Sequence, residues 1–241
     1  MTGLHHSKRL LPVILIGLAG AAFAHGDVAP QPVNTDALPD LESEGGEWLL
    51  ENPYREAEDD VWQQVVAVGE SGYTQNCARC HGLGAVSGGL APDLRFLEPN
   101  EFGDEWYLER FINGYTQDGT TKMPGFGEVL DEKAAWAIKT YVESRPEDGA
   151  YDALNARLTE IRDRLAEIGT EVQGGADAAQ FADETTTMRD ELAAMSAEIP
   201  TAYGEVRTDS IALRAANALS GDAPAHRTAA ETLTIGLSAA N

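Results

Sequence analysis

Apolar positions follow a helical period over most of this chain. From Asp59 to Cys80, Gly69, Tyr73 and Cys77 recur every four residues along one face, which predicts a first helix. A shorter helix is expected from Asp104 to Asn113. Another opens at Asp131, an N-cap or first-turn acid, and runs through Asp131-Glu-Lys-Ala-Ala-Trp-Ala-Ile-Lys-Thr-Tyr-Val-Glu-Ser. Arg145-Pro146-Glu147-Asp148-Gly149 then stops it. Beyond the stop, Leu154, Leu158, Ile161, Leu165, Ile168 and Val172 recur at intervals of four and three. After Gly174-Gly175 the series Phe181, Met188, Leu192, Met195 and Ile199 keeps that phase. Each of these two helices has one apolar seam and a charged back, so neither is stable alone. A helical hairpin that buries seam against seam, in the manner of a coiled coil, is the simplest solution. Weaker helices are expected at 210–219 and 225–240. The fold class is all-α: an extended segment at 25–57, a helical domain at 58–146, and a helical hairpin or small bundle at 150–241.

The first residues follow a different pattern. Lys8 and Arg9 precede an apolar run from Leu10 to Gly20, and Ala22-Phe23-Ala24 has the small-x-small form of a cleavage site. Residues 1–24 thus read as a signal peptide, with export to the periplasm and a mature chain starting at His25. The run is shorter than the roughly 20 residues that span a bilayer, and no later segment qualifies, so no membrane anchor is expected after cleavage. Charge narrows the partners. Forty acidic residues against 17 basic give a net charge of -23. Nucleic acid and anionic membranes need a basic face and are excluded. A cationic patch on another protein is the natural complement, unless the acidity only solvates the surface.

The chemistry concentrates in five residues. The only two cysteines form Cys77-Ala78-Arg79-Cys80-His81, the C-x-x-C-H pattern of covalent haem c attachment. Two thiols at this spacing add to the two haem vinyl groups, and the next residue can bring a neutral imidazole to the iron. Zinc would require further Cys or His ligands at suitable spacing, and His25 and His226 supply no such cluster. A thioredoxin-like pair would sit in a strand-helix context. For the sixth position, Met123 lies in Thr121-Lys122-Met123-Pro124-Gly125-Phe126, where Pro124 and Gly125 favour a turn that can hold the sulfur against the iron. Met188 and Met195 fall on the apolar stripe, where packing is the default. His81 and Met123 together saturate the iron in both oxidation states and predict a one-electron carrier, not an enzyme. If Met123 only lined the pocket, a five-coordinate iron would favour peroxide chemistry, although no distal histidine is in view. A haem sensor or a subunit of a larger complex is the third class.

These elements resemble the small class I cytochromes c. In that family a glycine of the first helix permits close crossing by the last, where an apolar-aromatic pair, here Ile138 and Tyr141, packs against it. Carried over, Pro92 in Gly88-Gly89-Leu90-Ala91-Pro92-Asp93-Leu94 would accept the hydrogen bond of the His81 ring. Trp136 would pack near the haem edge, and Arg95 would meet a haem propionate or form a surface ion pair. The segments His25-Gly26-Asp27-Val28, Glu47-Trp48, Asn52-Pro53-Tyr54-Arg55 and Ala135-Trp136-Ala137-Ile138-Lys139 carry the resemblance further, to the PedF-type cytochromes c. It covers residues 25–146. Those proteins accept electrons in the periplasm from pyrroloquinoline quinone-dependent alcohol dehydrogenases, which implies such a quinoprotein as donor and an oxidase or another cytochrome as acceptor.

Overall fold

A glycine contact sets the geometry of the first unit. In the computed structural model, which describes residues 29–43, 45–204, 206–220 and 225–239, helix α1 (Asp59–Asn76) lies against α4 (Glu132–Glu143). A Cβ on Gly69 would stand 2.0 Å from the Ala137 carbonyl oxygen and 2.9 Å from Tyr141 Cβ, so only glycine allows this approach. The pairing follows the expectation for Tyr141, which covers Gly69 together with Ala137, and departs from it for Ile138, which faces Gly72. The predicted signal peptide and His25–Val28 lie outside the described residues.

Three further elements complete this unit. The helix expected to run through Cys80 is broken at Cys77, and the motif continues in a separate turn, α2 (Ala78–His81). Helix α3 (Glu101–Asn113) starts before Asp104 because the Asn100 side chain accepts from the Phe102 and Gly103 amides. An antiparallel pair, β1 (Tyr115–Gln117) and β2 (Thr120–Met123), follows it. Gln117 pairs with Thr120 across Asp118-Gly119, both at positive φ, the two-residue turn whose twist suits a hairpin. The core is aromatic: Tyr73, Tyr107, Phe111, Phe126 and Trp136 are buried, with Tyr73 and Tyr141 centroids 5.3 Å apart.

The N-terminal segment is a strap across this core, with Leu38 and Tyr54 buried in it. Gln31 bonds Asn76, Thr35 bonds Asp131, and Ser43 and the Leu49 amide bond Glu132. At its end, Arg55 reaches Asp104 at 2.8 Å and Glu143 at 2.7 Å. Lys139, fully buried, reaches Glu143 at 2.7 Å and Asp104 at 3.5 Å, and Asn52 closes the group through its amide and side chain. Two cations and two carboxylates thus neutralise one another inside the protein. Burial of such a set is tolerable only when all four are paired.

Among the described residues the second unit has four α-helices, the small bundle of the two expected outcomes, and the two weaker helices expected at 210–219 and 225–240 are part of it. The four are α5 (Asn155–Gln173), α6 (Ala182–Glu198), α7 (Ile211–Leu219) and α8 (Ala225–Ala239). Helix α5 packs on α8, α8 on α7, and α7 on α6. Helices α5 and α6 meet through Arg157–Glu191 and Arg164–Glu184. The predicted seam residues Leu158, Ile161, Leu165, Ile168 and Leu192 are buried, but Ala212, Ala215, Ala229 and Leu233 of the shorter helices share that core. His226 is half-buried and bonded to Thr185 at 2.7 Å.

The two cores are separate, and the seam between them is polar. Arg145 pairs with Asp209, and Arg214 bridges Asp209 and Glu70. Burial pushes the Asp209 carboxyl up, but the Arg145 charge and the Arg214 hydrogen bonds outweigh it and hold the group below the usual carboxylate range. Beside this, Arg207 stacks on Trp62 at 4.7 Å, next to a cavity of about 500 Å³.

Candidate cofactor site

The end of α1 fixes the motif in space. Tyr73, one turn before Cys77, donates its hydroxyl to the Gly82 carbonyl at 2.8 Å and ties the residue after His81 back to the helix. Gly82 lies at φ +84, and a Cβ there would stand 1.8 Å from the Val86 carbonyl oxygen. This reversal sends the chain out along 83–92 and back beneath His81. Both cysteines are half-buried free thiols. Burial, and secondarily Cys80, pushes the Cys77 thiol up to about 12, so it stays protonated and neutral.

The Pro92 carbonyl lies 2.8 Å from His81 Nδ1, so that nitrogen is the protonated one and Nε2 keeps its lone pair. Met123 ends β2 and packs half-buried against the core that also holds Cys77 and Ala78. It therefore sits at a strand end and not in an irregular loop. Trp136 is buried, and its Nε1–H has no acceptor among protein atoms. Arg95 corrects the surface reading. It is 5% exposed, forked onto Asp93 at 2.8 Å, and paired with Asp148 at 2.7 Å.

The donor set fits haem c: two cysteine thiols three positions apart, an imidazole whose Nδ1 is held by a carbonyl, a thioether on the same core, and a buried N–H lacking an acceptor. The comparisons agree. The family described as cytochrome c oxidase, cbb3-type, subunit III matches residues 64–142. A cytochrome c550 from Pseudomonas aeruginosa is 49% identical over 139 residues, which cover 57% of this chain and 92% of that relative. The chain belongs to the class I c-type cytochromes of the c550 type. This cytochrome is a mono-haem electron carrier and not an enzyme, and its haem c is covalently bound. Two quinohemoprotein alcohol dehydrogenases of Pseudomonas putida, ADH IIB and ADH-IIG, are 35% and 34% identical over 82 and 83 residues. Those matches cover 34% of this chain and 11% of each enzyme. No solved structure matches the cytochrome. No described helix is long and apolar enough to cross a membrane, and no group of three or more metal-binding side chains occurs among the described residues.

Two features of this cytochrome escaped the sequence reading. The hairpin that carries Met123 was signalled by Asp118-Gly119 between Thr-rich flanks. The buried Arg55, Asp104, Lys139 and Glu143 set had no comparable signal, because charged residues on helices read as solvated faces.

Proposed function

We propose that Cys77 and Cys80 carry the haem thioethers, that His81 and Met123 ligate the iron, and that the donor is a quinoprotein alcohol dehydrogenase. The electron passes on to an oxidase or another cytochrome, in the periplasm after export. The single observation that supports the ligand set most is the His81 Nδ1 to Pro92 bond, which aims a basic Nε2 away from the loop. When bound, haem supplies a one-electron couple. The chain's own residues do the rest: Pro92 fixes the imidazole tautomer, Tyr73 and Gly82 hold the turn, and the strap keeps water from the core. Trp136 offers its N–H to a polar edge of the group. The donor reading draws on the PedF-type resemblance and on the similarity to the two alcohol dehydrogenases.

Stopped-flow mixing of the ferric protein with a reduced quinoprotein alcohol dehydrogenase tests the donor. Reduction within milliseconds to seconds supports it, and its absence at any salt concentration rejects it. For the ligand, the ferric protein is expected to show the weak near-infrared band of methionine sulfur on iron, and Met123→Ala to abolish it. A band that survives the substitution removes Met123 from the iron.

A further inference from the structure

The bundle grips the haem domain at one short segment. The main chain just after α4 is stitched to the connection between α6 and α7. Asp209 N–H donates to the Ser144 carbonyl at 3.0 Å, Ala202 N–H to the Arg145 carbonyl at 3.2 Å, and Glu147 N–H to the Pro200 carbonyl at 3.2 Å. Thr201 faces Pro146 in an isolated antiparallel bridge, and Thr201 and Ser144 are buried. Directed bonds in a dry seam hold this stop in one place, as a linker exposed to water would not.

Two arms run from the gripped stop to the residues that flank His81. In the first, Arg145 stacks on Tyr141 at 4.1 Å, the Tyr141 and Tyr73 rings lie 5.3 Å apart, and Tyr73 holds the Gly82 carbonyl. Arg95 forms the second. Its guanidinium donates to the Pro146 carbonyl at 3.3 Å and to Asp148, while Nε and Nη2 take both oxygens of Asp93 at 3.0 and 2.8 Å. Asp93 also accepts from the Ser87 and Arg95 amides and so closes the loop that carries Pro92. Asp148 is exposed and its pair contributes little, so the fork on Asp93 and the Pro146 carbonyl carry this arm.

The Pro92 carbonyl accepts from His81 Nδ1, and the strength of that bond sets how basic the other ring nitrogen is. A loop free to drift would lengthen it. We propose that Arg95 is a positioning residue for the His81 imidazole, and that the bundle, gripping the stop after α4, clamps Arg95 and thereby helps to set the reduction potential. A firmly held acceptor makes Nε2 a stronger ligand, stabilises ferric iron and lowers the potential. Loosening the clamp raises it. The inference rests on the proposed ligation of the iron by His81.

The test uses the full-length holoprotein with isotope-labelled histidine. Arg95→Lys keeps the charge and loses the fork. Ala202→Pro deletes the N–H that donates to Arg145 and changes no charge, and it follows a residue already paired in the bridge, an extended setting that proline favours. In both variants the ferrous-to-ferric ratio at a fixed solution potential should rise about threefold, which is about 28 mV for a one-electron couple. Exchange of the His81 Nδ1 proton in the ferrous protein should quicken about tenfold, the loss of one hydrogen bond's protection against local opening. Removing a cation by itself favours ferric iron, so Arg95→Gln should raise the potential less than Arg95→Lys while exchange quickens equally.

Unchanged potential and exchange in Arg95→Lys overturn the positioning role. A response in Arg95→Lys with Ala202→Pro behaving as the parent overturns the clamp. Should Ala202→Pro cost the bundle its helical signal, the same two shifts are still expected, and their absence also overturns the clamp. Ligation is read separately, from the His81 ring signals of the ferric parent, which a bound paramagnetic iron moves far outside their ordinary range. Unshifted ring signals defeat the ligand reading; shifted signals with variants that match the parent defeat the clamp alone.

Discussion

The haem domain and the C-terminal bundle hold their helices together by opposite means. The bundle keeps its charges outside: Arg157, Arg164 and Arg227 pair with carboxylates at exposed positions, and its core is Leu, Ile, Ala and Met. Exposed pairs of this kind contribute little, so the seam carries the stability. The haem domain instead encloses Arg55, Asp104, Lys139 and Glu143. Its segments between α2 and α3 and between α3 and α4 hold only short turns and a hairpin, which leaves fewer helix faces to pack on one another. A buried ionic set locks the strap, α3 and α4 in a single arrangement where a continuous seam is unavailable. The match to the relative from Pseudomonas aeruginosa takes in 92% of that protein but 57% of this chain.

The largest effect should come from Asp104→Asn, which leaves Arg55 and Lys139 short of a buried counter-charge. A loss of about 3–5 kcal/mol is expected. Thermal melting followed by haem absorbance should show an early transition, while a helical signal from the bundle persists. Next, Leu192→Ala should cost the bundle about 3 kcal/mol by cavity formation. Its helical signal should melt first, with the near-infrared band intact. Simultaneous loss of both signals in either variant would show that the units unfold as one and would erase the contrast.

The seam tests how independent they are. Asp209→Asn should lower stability by roughly 2 kcal/mol, less than the first change because Arg214 is partly solvated. Acid should mimic it. Asp209 lies below its usual range when folded, so its contribution is complete above about pH 4 and fades as pH falls through the lowered value. Limited proteolysis across pH 5 to about 2 should show cleavage near residues 199–209 appearing only at the acid end. The smallest effect concerns His226. Burial lowers its basicity, with Glu184 partly opposing, so the folded bundle binds that proton less readily than the unfolded chain. Bundle stability should therefore decline slightly as pH drops below about 6.5, and His226→Gln should flatten that slope without touching the haem signal.

How much of this was legible depended on the physical origin of each feature. The Cys77 to His81 spacing is dictated by the macrocycle, and the seam from Leu158 to Ile168 by helix geometry, so both stand in the sequence. The glycine crossing was read at the right helices and, for Tyr141, at the right glycine, while Ile138 lies one turn away against Gly72. The hairpin was hidden by a proline-glycine turn signal next to it. Helices α7 and α8 looked weak because alanines bury well yet give little hydrophobic pattern. The ionic set could not be seen at all. Its members are far apart in sequence, and pairing alone explains their burial.

The strap has a consequence in time. Its longest-range hydrogen bonds include pairs separated by 83 and 96 positions, Leu49 with Glu132 and Thr35 with Asp131. Long loops close late, since their entropy is lost before any contact rewards it. The strap, although made before the helices, thus finds its partners near the end of folding, after α4 has docked on α1. Until that closure the end of α1, where Gln31 bonds Asn76 just before the cysteine motif, is not yet held by the strap.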